Sequence, residues 1–567
     1  MASVSGAVNE KKTSDLLIGN AILICCLAAA AALVANGRAT SDISRLIYTR
    51  IDLPAFWVVA AIAALSIVLY YVPGSGAFPA GIRLSWLKPW HIALATLVAI
   101  AAGVEPIYHG FPFSMDEYMT TFQAEIFAAG RLAGQVPTEW LDFGRALHHS
   151  FAKFDAASGQ VYSGYRPGMA ALYAAFDLAR MGPYTSAVLS AGSVVLVASV
   201  ARQIWPRSET APLAAALLLA TSQQVLVTGL TAYAMPGHLF FNLLWVRLFL
   251  IDRPWAHALA PLAGVAAAAL HQIHVHAFFA APFLLTLLRP LRSGLLVFYG
   301  TTYVLGHALI IGWDQIAVSS QNEAINASVG SIGRVTALFL LPGIFELSTV
   351  SALFARLIAW QNVALIPLIV IAVRRAEWPK PLRLLAASVA FSIVPYVFLM
   401  PDQGHGWGYR YLHGLIGNLA LIATAGWLVV ERMPELDRRR ILRPLLAAGA
   451  LSVIILLPLR AVQVERMVAP FARAYEHIRA IDADVVVVDS PAVYYGQDFV
   501  RNGPLLDNRP VLMDLRLMNE AQVRRLRAAY SVVLVSADDL DRFGLPRESA
   551  PVWPPPDWQQ MRELLRD

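Results

Sequence analysis

Cysteine is almost absent from this sequence, which contains only Cys25 and Cys26 among 567 residues. The two are adjacent and lie inside an apolar run, so neither a structural disulfide nor a cysteine-based metal site is expected. Charged residues are also scarce, at 14% of the chain against 57% hydrophobic residues, and the mean hydropathy is +0.56. This composition excludes an ordinary soluble domain and predicts a chain that folds mostly in lipid.

Apolar runs of about 20 residues recur along the chain, and each is long enough to cross about 30 Å of hydrocarbon. The sequence therefore predicts a polytopic α-helical membrane protein with about 13 transmembrane helices. The first run, residues 16–36, is too long for a usual signal-peptide core, so we interpret it as a retained anchor with a cytoplasmic N-terminus. The predicted spans lie near residues 16–36, 54–73, 89–108, 183–204, 211–231, 236–251, 256–272, 275–289, 294–312, 354–373, 382–400, 411–430 and 441–461.

Basic residues exceed acidic ones, giving a net charge of +6 and a pI of about 9.3. The Arg and Lys residues stand in short loops between the spans, as the positive-inside rule describes, so no nucleic-acid partner is expected. When the spans alternate from a cytoplasmic N-terminus, almost every basic cluster falls on the cytoplasmic side. Ionisable and aromatic residues from many loops then gather on the opposite face, which is typical of an active site rather than a transport pathway.

An adjacent acidic pair, Asp116-Glu117, opens the first long polar stretch after a span. A carboxylate close to hydrocarbon is costly, which favours a functional role for the pair. The sequence also allows a structural role, because Ser114 and Glu117 fit the S-x-x-E capping box of a helix N-terminus. The two interpretations are compatible, since a capped helix start is a rigid platform for a catalytic carboxylate.

Histidines from several loops fall on the same predicted face as the acidic pair. His271 and His274 are three residues apart, so on a helix they would share a face, and a zinc or manganese site with the acidic pair is one interpretation. The alternative is that they bind substrate or water, and the sequence leaves any cofactor unknown. The residues that we expect to line the substrate site are His238, His271, His274, His405 and Tyr165.

The last hundred residues differ from the rest, because charged residues become frequent after residue 463. Short β-branched runs at 485–489, 510–514 and 532–536 alternate with helical patterns such as 520–529, which predicts a small α/β domain. We therefore divide the chain into a transmembrane domain, 1–462, and a soluble extracytoplasmic domain, 463–567. Within the first, the loop 109–167 carries the acidic pair. Acceptor recognition is one hypothesis for the soluble domain.

Three motifs occur in an order and spacing that resemble the GT-C superfamily of membrane glycosyltransferases. They are the acidic pair, the stretch Y-S-G-Y-R-P-G-M at 162–169, and G-Y-R-Y-L at 408–412. The superfamily includes protein O-mannosyltransferases and bacterial lipid A aminoarabinose transferases, and the resemblance covers roughly residues 110–430. This chain departs from the family pattern in two ways. The pair follows the third predicted span rather than the first, and Arg166-Pro167 stands where a doubled proline is common.

The resemblance implies a donor that is a sugar on a polyprenyl phosphate, with a glycan, lipid or protein as acceptor. Asp116 would act as general base beside Glu117, and Arg410 would clamp the phosphate, with Arg166 and Tyr409 as further phosphate contacts. The implied function is sugar transfer at the extracytoplasmic face of a bacterial inner membrane. The alternatives are a flippase or transporter of lipid-linked saccharide and an oligosaccharide ligase or polymerase. An interfacial role also stays open for Arg410.

Overall fold

The computed structural model describes residues 2–35, 42–72, 86–317, 343–399, 403, 405–548 and 550–566, and most of these residues are helical. Among them, eight helical segments are long and apolar enough to cross a membrane. These segments are Ser14–Ala35, Ser44–Tyr71, Pro89–Tyr108, Gly182–Ile204, Ser293–Ile311, Lys380–Phe398, Arg410–Glu431 and Glu435–Arg479. The chain is therefore a multi-pass α-helical membrane protein, as its composition predicts.

The other predicted spans correspond to shorter helices. The run 211–231 forms two helices, Ala211–Ala220 and Gln223–Thr228, because the Ser222 hydroxyl accepts a hydrogen bond from Val225 N (3.3 Å) and starts a new helix. The run 256–272 forms Pro254–Ala269, whose 16 residues extend about 24 Å. The count of thirteen spans therefore stays a prediction.

The largest hydrophobic cluster of the first 479 residues consists of aliphatic and aromatic side chains. The helix Met235–Ile251 contributes to it and packs against Thr185–Ile204, Pro254–Ala269 and the 3₁₀ turn Arg410–Leu415. The α-helices among the described residues of this part are Ala2–Ala35, Asp42–Ile47, Leu53–Tyr71, Pro89–Tyr108, Met115–Ala128, Gly168–Asp177, Thr185–Ile204, Ala211–Ala220, Gln223–Thr228, Met235–Ile251, Pro254–Ala269, Ile273–Leu285, Ser293–Ile311, Trp313–Ala317, Ile344–Ala359, Leu365–Arg375, Lys380–Leu399, Ile416–Glu431, Glu435–Leu451 and Leu457–Arg479.

The polar stretch after the third helix of spanning length folds into a small layer of its own. It contains the helix Met115–Ala128, which we call the acid-pair helix, and a three-stranded antiparallel sheet. The strands are β1 (Gly134–Gln135), β2 (Ala152–Asp155) and β3 (Gln160–Ser163), in the order β1-β3-β2. The sheet backs the acid-pair helix, because Ser163 N donates to Gln123 Oε1 over 2.9 Å.

The C-terminal part contains a parallel sheet of three short strands, β4 (Val485–Val488), β5 (Val511–Asp514) and β6 (Val532–Val535), in the order β5-β4-β6. The helices Glu520–Ala529 and Trp558–Arg566 pack beside it. Both faces of β4 are buried, as in other parallel sheets. The preceding helix runs without a break through residue 463 to Arg479, so the sheet begins some distance beyond the predicted domain boundary.

Candidate active site

The acid-pair helix begins with the capping box that the sequence predicts. The Ser114 hydroxyl accepts from Glu117 N over 3.4 Å, and Glu117 Oε1 accepts from Ser114 N over 3.3 Å. This reciprocal pair fixes the first turn of the helix. Asp116 therefore projects from a rigid helix start, where the helix dipole also favours a carboxylate.

Glu117 points into the protein and is fully buried. Its Oε1 accepts from the Tyr108 hydroxyl (2.8 Å) and its Oε2 from Ala232 N (3.2 Å), so the side chain ties the acid-pair helix to two neighbouring segments. Burial raises the pKa of Glu117 to about 7, although the hydrogen bonds from Tyr108, Ala232 and Ser114 act in the opposite direction. Glu117 lines neither of the pockets described below, so its geometry is that of an anchor.

Asp116 points the other way and has two strong partners. One carboxylate oxygen accepts from the Tyr165 hydroxyl and the other from Arg410 Nη1. Burial alone would raise the pKa of Asp116, but the positive charge of Arg410, the nearby His271 and the Tyr165 hydrogen bond together lower it to about 2. Asp116 is thus a stable carboxylate in this arrangement.

Arg410 is held in place by its backbone and by aromatic rings. Its backbone N donates to Gln403 Oε1 over 2.8 Å, and its guanidinium carbon lies 5.4 Å from the Tyr233 ring and 5.3 Å from the Tyr411 ring. Rings at this distance stabilise a cation. The Nε–H of Arg410 is buried and has no hydrogen-bond partner in the described part of the chain. We call Asp116 and Arg410 the pocket pair.

Two pockets lie beside the pocket pair, and His271 borders both of them. The first contains Asp116 and the second contains Arg410. The polar residues of the first pocket are Asp116, Thr120, Ser163, Tyr165, Arg166, Tyr233 and His271. The polar residues of the second are His238, His271, Gln272, Arg410 and Tyr411. The two members of one ion pair therefore face two different compartments.

Several of the residues expected from the sequence meet at these pockets. Tyr165 binds Asp116, and its ring lies edge-on to His271, with 4.8 Å between ring centroids. Arg166 lines the first pocket while its Nη1 donates to Ile310 O over 2.8 Å. His238 lines the second pocket.

Three other expected residues line neither pocket. Tyr409 is fully buried against Phe354, and its carbonyl accepts from Gln224 Nε2 over 2.9 Å. His274 packs on Tyr396, with 5.8 Å between ring centroids. His405 packs between Phe113 and the C-terminal part, and its ring nitrogens are buried without a partner among the described residues.

The shared helical face expected for His271 and His274 does not form, because the helix begins only at Ile273 with Gln272 at its N-cap. His271 therefore precedes the helix and points to the pockets, while His274 lies in its first turn. Within the described residues, no three His, Cys, Asp or Glu side chains are placed to hold a metal ion. The residues in this region therefore do not fit the zinc or manganese site that the spacing allowed.

The structure also adds residues that the sequence did not single out for the site, namely Thr120, Ser163, Tyr233, Gln272 and Tyr411. Three of them had a signal in the sequence. Thr120 follows Asp116 by four residues, which places both on one face of a helix, and Ser163 and Tyr411 lie within the motif stretches 162–169 and 408–412. Tyr233 and Gln272 reach the site through tertiary packing.

Comparison with known proteins gives a structural similarity but no match by sequence. No family model and no curated protein matches the chain. The structure is similar to the crystal structure of ArnT from Cupriavidus metallidurans in the apo state, with a TM-score of 0.50 and 12% identity over 74% of this chain and 85% of ArnT. For the same ArnT bound to undecaprenyl phosphate, the TM-score is 0.49, with 12% identity over 75% of this chain and 86% of ArnT. This chain therefore has the fold of ArnT, the GT-C fold that its motifs resemble.

Proposed function

We propose that this protein is a membrane glycosyltransferase that moves a sugar from a polyprenyl-phosphate donor to an acceptor. The observation that carries the proposal is the pocket pair, because a carboxylate and a guanidinium at the boundary of two pockets are the two charges that this reaction needs. The ArnT-like fold and the motif resemblance support the same reaction class. The sugar and the acceptor, whether glycan, lipid or protein, are not specified by these observations.

In the proposed reaction, an acceptor oxygen forms a bond to the anomeric carbon of the sugar while the bond from that carbon to the donor phosphate oxygen breaks. Asp116 takes the proton that the acceptor oxygen loses. The bond electrons leave with the phosphate, and Arg410 stabilises the negative charge that develops there. Asp116 and Glu117 are not equivalent in this scheme, since Asp116 reacts and Glu117 holds the helix.

In this proposal each pocket binds a different part of the substrates, according to the charge of its residues. The second pocket, with Arg410, His238 and Gln272, would take the donor phosphate, and the first, with Asp116 and Tyr165, would take the sugar and the acceptor oxygen. Arg166 in the first pocket offers a second cation. Tyr409 would act by supporting the Arg410 turn rather than by touching phosphate.

Donor binding would also activate the base. Without donor, Arg410 binds Asp116 and keeps the pKa of that carboxyl at about 2, which is low for a base that works at neutral pH. A donor phosphate in the second pocket would attract the same guanidinium. As Arg410 shifts towards the phosphate, Asp116 loses its cation and becomes a stronger base. We therefore expect the donor to bind before the acceptor.

The membrane arrangement that we propose has about thirteen spans, a cytoplasmic N-terminus and an active site at the extracytoplasmic face of a bacterial inner membrane. Residues 463–567 would form a soluble domain on that face. The packing supports a common side for the two polar parts, since the acid-pair helix and the parallel sheet share one hydrophobic cluster that includes Phe122 and Val487.

The test is sugar transfer by the purified protein in detergent, with a panel of polyprenyl-phosphate sugars and an envelope extract as acceptor. We expect transfer by the wild type and a fall in kcat of about 10²- to 10⁴-fold for Asp116→Asn, because a general base contributes that much. Direct donor binding should survive this change. The matched control is Asp538→Asn, which alters an exposed carboxylate that lines neither pocket.

Each other outcome has a definite meaning. Transfer that survives Asp116→Asn would reduce the acidic pair to a helix cap. Absence of transfer by the wild type with every donor would contradict the proposal. A translocation assay in proteoliposomes would then test the flippase alternative.

A further inference from the structure

A buried arginine of the C-terminal part reaches the chain segment that leads into the acid-pair helix. Arg501 is 4% exposed, and its Nη1 donates to Pro112 O over 2.7 Å while its Nε donates to Asp498 O over 2.6 Å. Its guanidinium carbon lies 4.1 Å from the centre of the Phe111 ring. The Arg501 guanidinium thus joins its own loop to the carbonyl of Pro112, which lies two residues before the N-cap residue Ser114.

The next residue of the same loop, Asn502, contacts the acid-pair helix itself, on the C-terminal side of Asp116. The carbonyl of Asn502 accepts from the Tyr118 hydroxyl over 2.6 Å, two residues beyond Asp116. Asn502 is itself locked in place, because its Nδ2 donates to Leu147 O (2.8 Å) and Leu512 O (2.7 Å). The first turn of the acid-pair helix is therefore held both before and after Asp116 by two consecutive residues of the C-terminal part.

The sheet behind this loop packs directly against the acid-pair helix. β4 and β5 of the parallel sheet contribute Val485 and Met513 to the same hydrophobic cluster as Met119 and Phe122 of the acid-pair helix. A second cluster joins the opposite face of β4 to Phe111 and Phe113. The parallel sheet and the segment that carries Asp116 therefore share two buried cores.

We propose that Arg501 is a positioning residue for the proposed transfer reaction, and that the C-terminal part belongs to the catalytic apparatus through it. The inference rests on the proposed function, since it assigns Arg501 the task of holding Asp116 in line with Arg410 and Tyr165. Reacting groups must be held to about 0.5 Å, and a displacement of about 1 Å can cost 10²-fold in rate. A guanidinium supplies two directed donors and stacks on rings, which a lysine does not.

The experiment compares Arg501→Met and Arg501→Lys with the wild-type full-length protein. We measure direct donor binding and then kcat per donor-binding molecule. Both variants should keep the donor Kd within about twofold, while kcat per binding site falls by about 10- to 100-fold. The control is Arg525→Met, which removes an exposed contact between the same two parts, Arg525 Nη1 to Asp142 Oδ2 over 2.8 Å, and should leave kcat unchanged.

Dividing kcat by the number of donor-binding molecules distinguishes a loss of positioning from a loss of folded protein. A purely structural role would lower the number of donor-binding molecules and leave kcat per site unchanged, which would overturn the proposal. A loss confined to donor affinity would overturn it as well. If Arg501→Met does not fold, Tyr118→Phe can be used instead. It removes only the hydrogen bond from Tyr118 to Asn502 O and should lower kcat per site by a smaller factor.

A second measurement keeps this inference apart from the proposed function. Hydrogen–deuterium exchange of a peptide covering residues 111–126 should be faster in Arg501→Met than in the wild type, and unchanged in Arg525→Met. If the wild type transfers no sugar but this difference is present, the proposed function fails while the structural hold stands. Equal exchange in all three proteins would overturn the hold itself.

Discussion

Two groups of buried carboxylate and arginine side chains among the described residues before the parallel sheet invite comparison, because one borders the two pockets and the other lines neither of them. In the pocket pair, the Asp116 side chain is 15% exposed and Arg410 is 9% exposed. In the other group, which we call the sealed cluster, Asp52, Arg356 and Arg460 are all 0% exposed. Both groups combine a carboxylate with arginine, and under the proposed function the difference in access separates a reacting pair from a structural cluster.

The sealed cluster is held together by contacts that join distant helices. Asp52 pairs with Arg356 Nε over 2.7 Å and lies 3.6 Å from Arg460 Nη1, and it accepts from Trp360 Nε1 over 2.6 Å. Arg356 Nη2 also donates to Gly406 O over 2.7 Å, just before the turn that carries Arg410. The cluster thus joins the N-terminal helices to the loop that precedes the Arg410 turn.

The largest effect that distinguishes the two groups is expected on stability. Asp52→Asn leaves two fully buried guanidinium groups without their carboxylate, so the free energy of unfolding should fall by about 3–5 kcal/mol. Thermal and denaturant unfolding in detergent would measure the loss. Asp116→Asn should destabilise much less, because water reaches the pocket pair.

The comparison between the groups fails if Asp52→Asn abolishes transfer per folded molecule while stability is unchanged. It also fails if Asp116→Asn is the more destabilising change. Both results would mean that access to a pocket does not separate the two roles.

Arg410→Lys is expected to have a smaller effect, which should appear in kcat/KM for the donor. Lysine keeps the charge but loses the fork that binds phosphate and the stacking on Tyr411, so kcat/KM for the donor should fall by about 10- to 100-fold. Arg439→Lys is the matched control, because Arg439 pairs only with exposed Glu435 on a helix surface. Steady-state kinetics with donor varied would measure the change, and equal kinetics for the two variants would contradict a phosphate role for Arg410.

Local structure could be predicted from the sequence, both at the candidate site and in the C-terminal part. The motif S-x-x-E marks a real capping box, and the helical pattern at 520–529 coincides with the helix Glu520–Ala529. The three β-branched runs of the C-terminal part coincide with β4, β5 and β6. These features depend on residues within a few positions of one another, so periodicity and spacing are enough to find them.

Features that depend on distant contacts could not be predicted in this way. Nothing in the spacing indicates that Tyr411 rather than Tyr409 lines a pocket, because both rings are buried and the 3₁₀ turn Arg410–Leu415 decides which of them faces the pocket. The hydrogen bond from Arg501 to Pro112 joins residues that are 389 positions apart. The predicted span 354–373 is divided between the helices Ile344–Ala359 and Leu365–Arg375, and this break has a local element, because Asn362 Oδ1 accepts from Ala364 N over 3.0 Å in the turn between them.

The smallest and most specific effect is expected from Tyr165→Phe, which removes the neutral donor to Asp116 and leaves the cation Arg410 in place. A hydrogen bond to the charged carboxylate lowers the pKa of Asp116, so its loss should raise that pKa from about 2. Asp116 accepts a proton only when it is ionised, and activity is therefore lost as pH falls through its pKa. The acid limb of kcat/KM should consequently move to higher pH in the variant, while the rate at neutral pH falls by no more than about 10-fold.

Tyr173→Phe is the control for this last change, because the Tyr173 hydroxyl is buried and bonds to Ser186 Oγ (3.1 Å) and Thr231 O (3.0 Å), outside both pockets. Loss of that hydroxyl should affect stability and leave the acid limb where it is in the wild type. If both variants shift the acid limb of kcat/KM equally, the shift reflects a general loss of stability and not the hydrogen bond to Asp116. If neither moves it, Asp116 is not the group whose ionisation limits the reaction. A shift confined to Tyr165→Phe would locate the reacting carboxylate at the pocket pair, since the Tyr165 hydroxyl donates to Asp116.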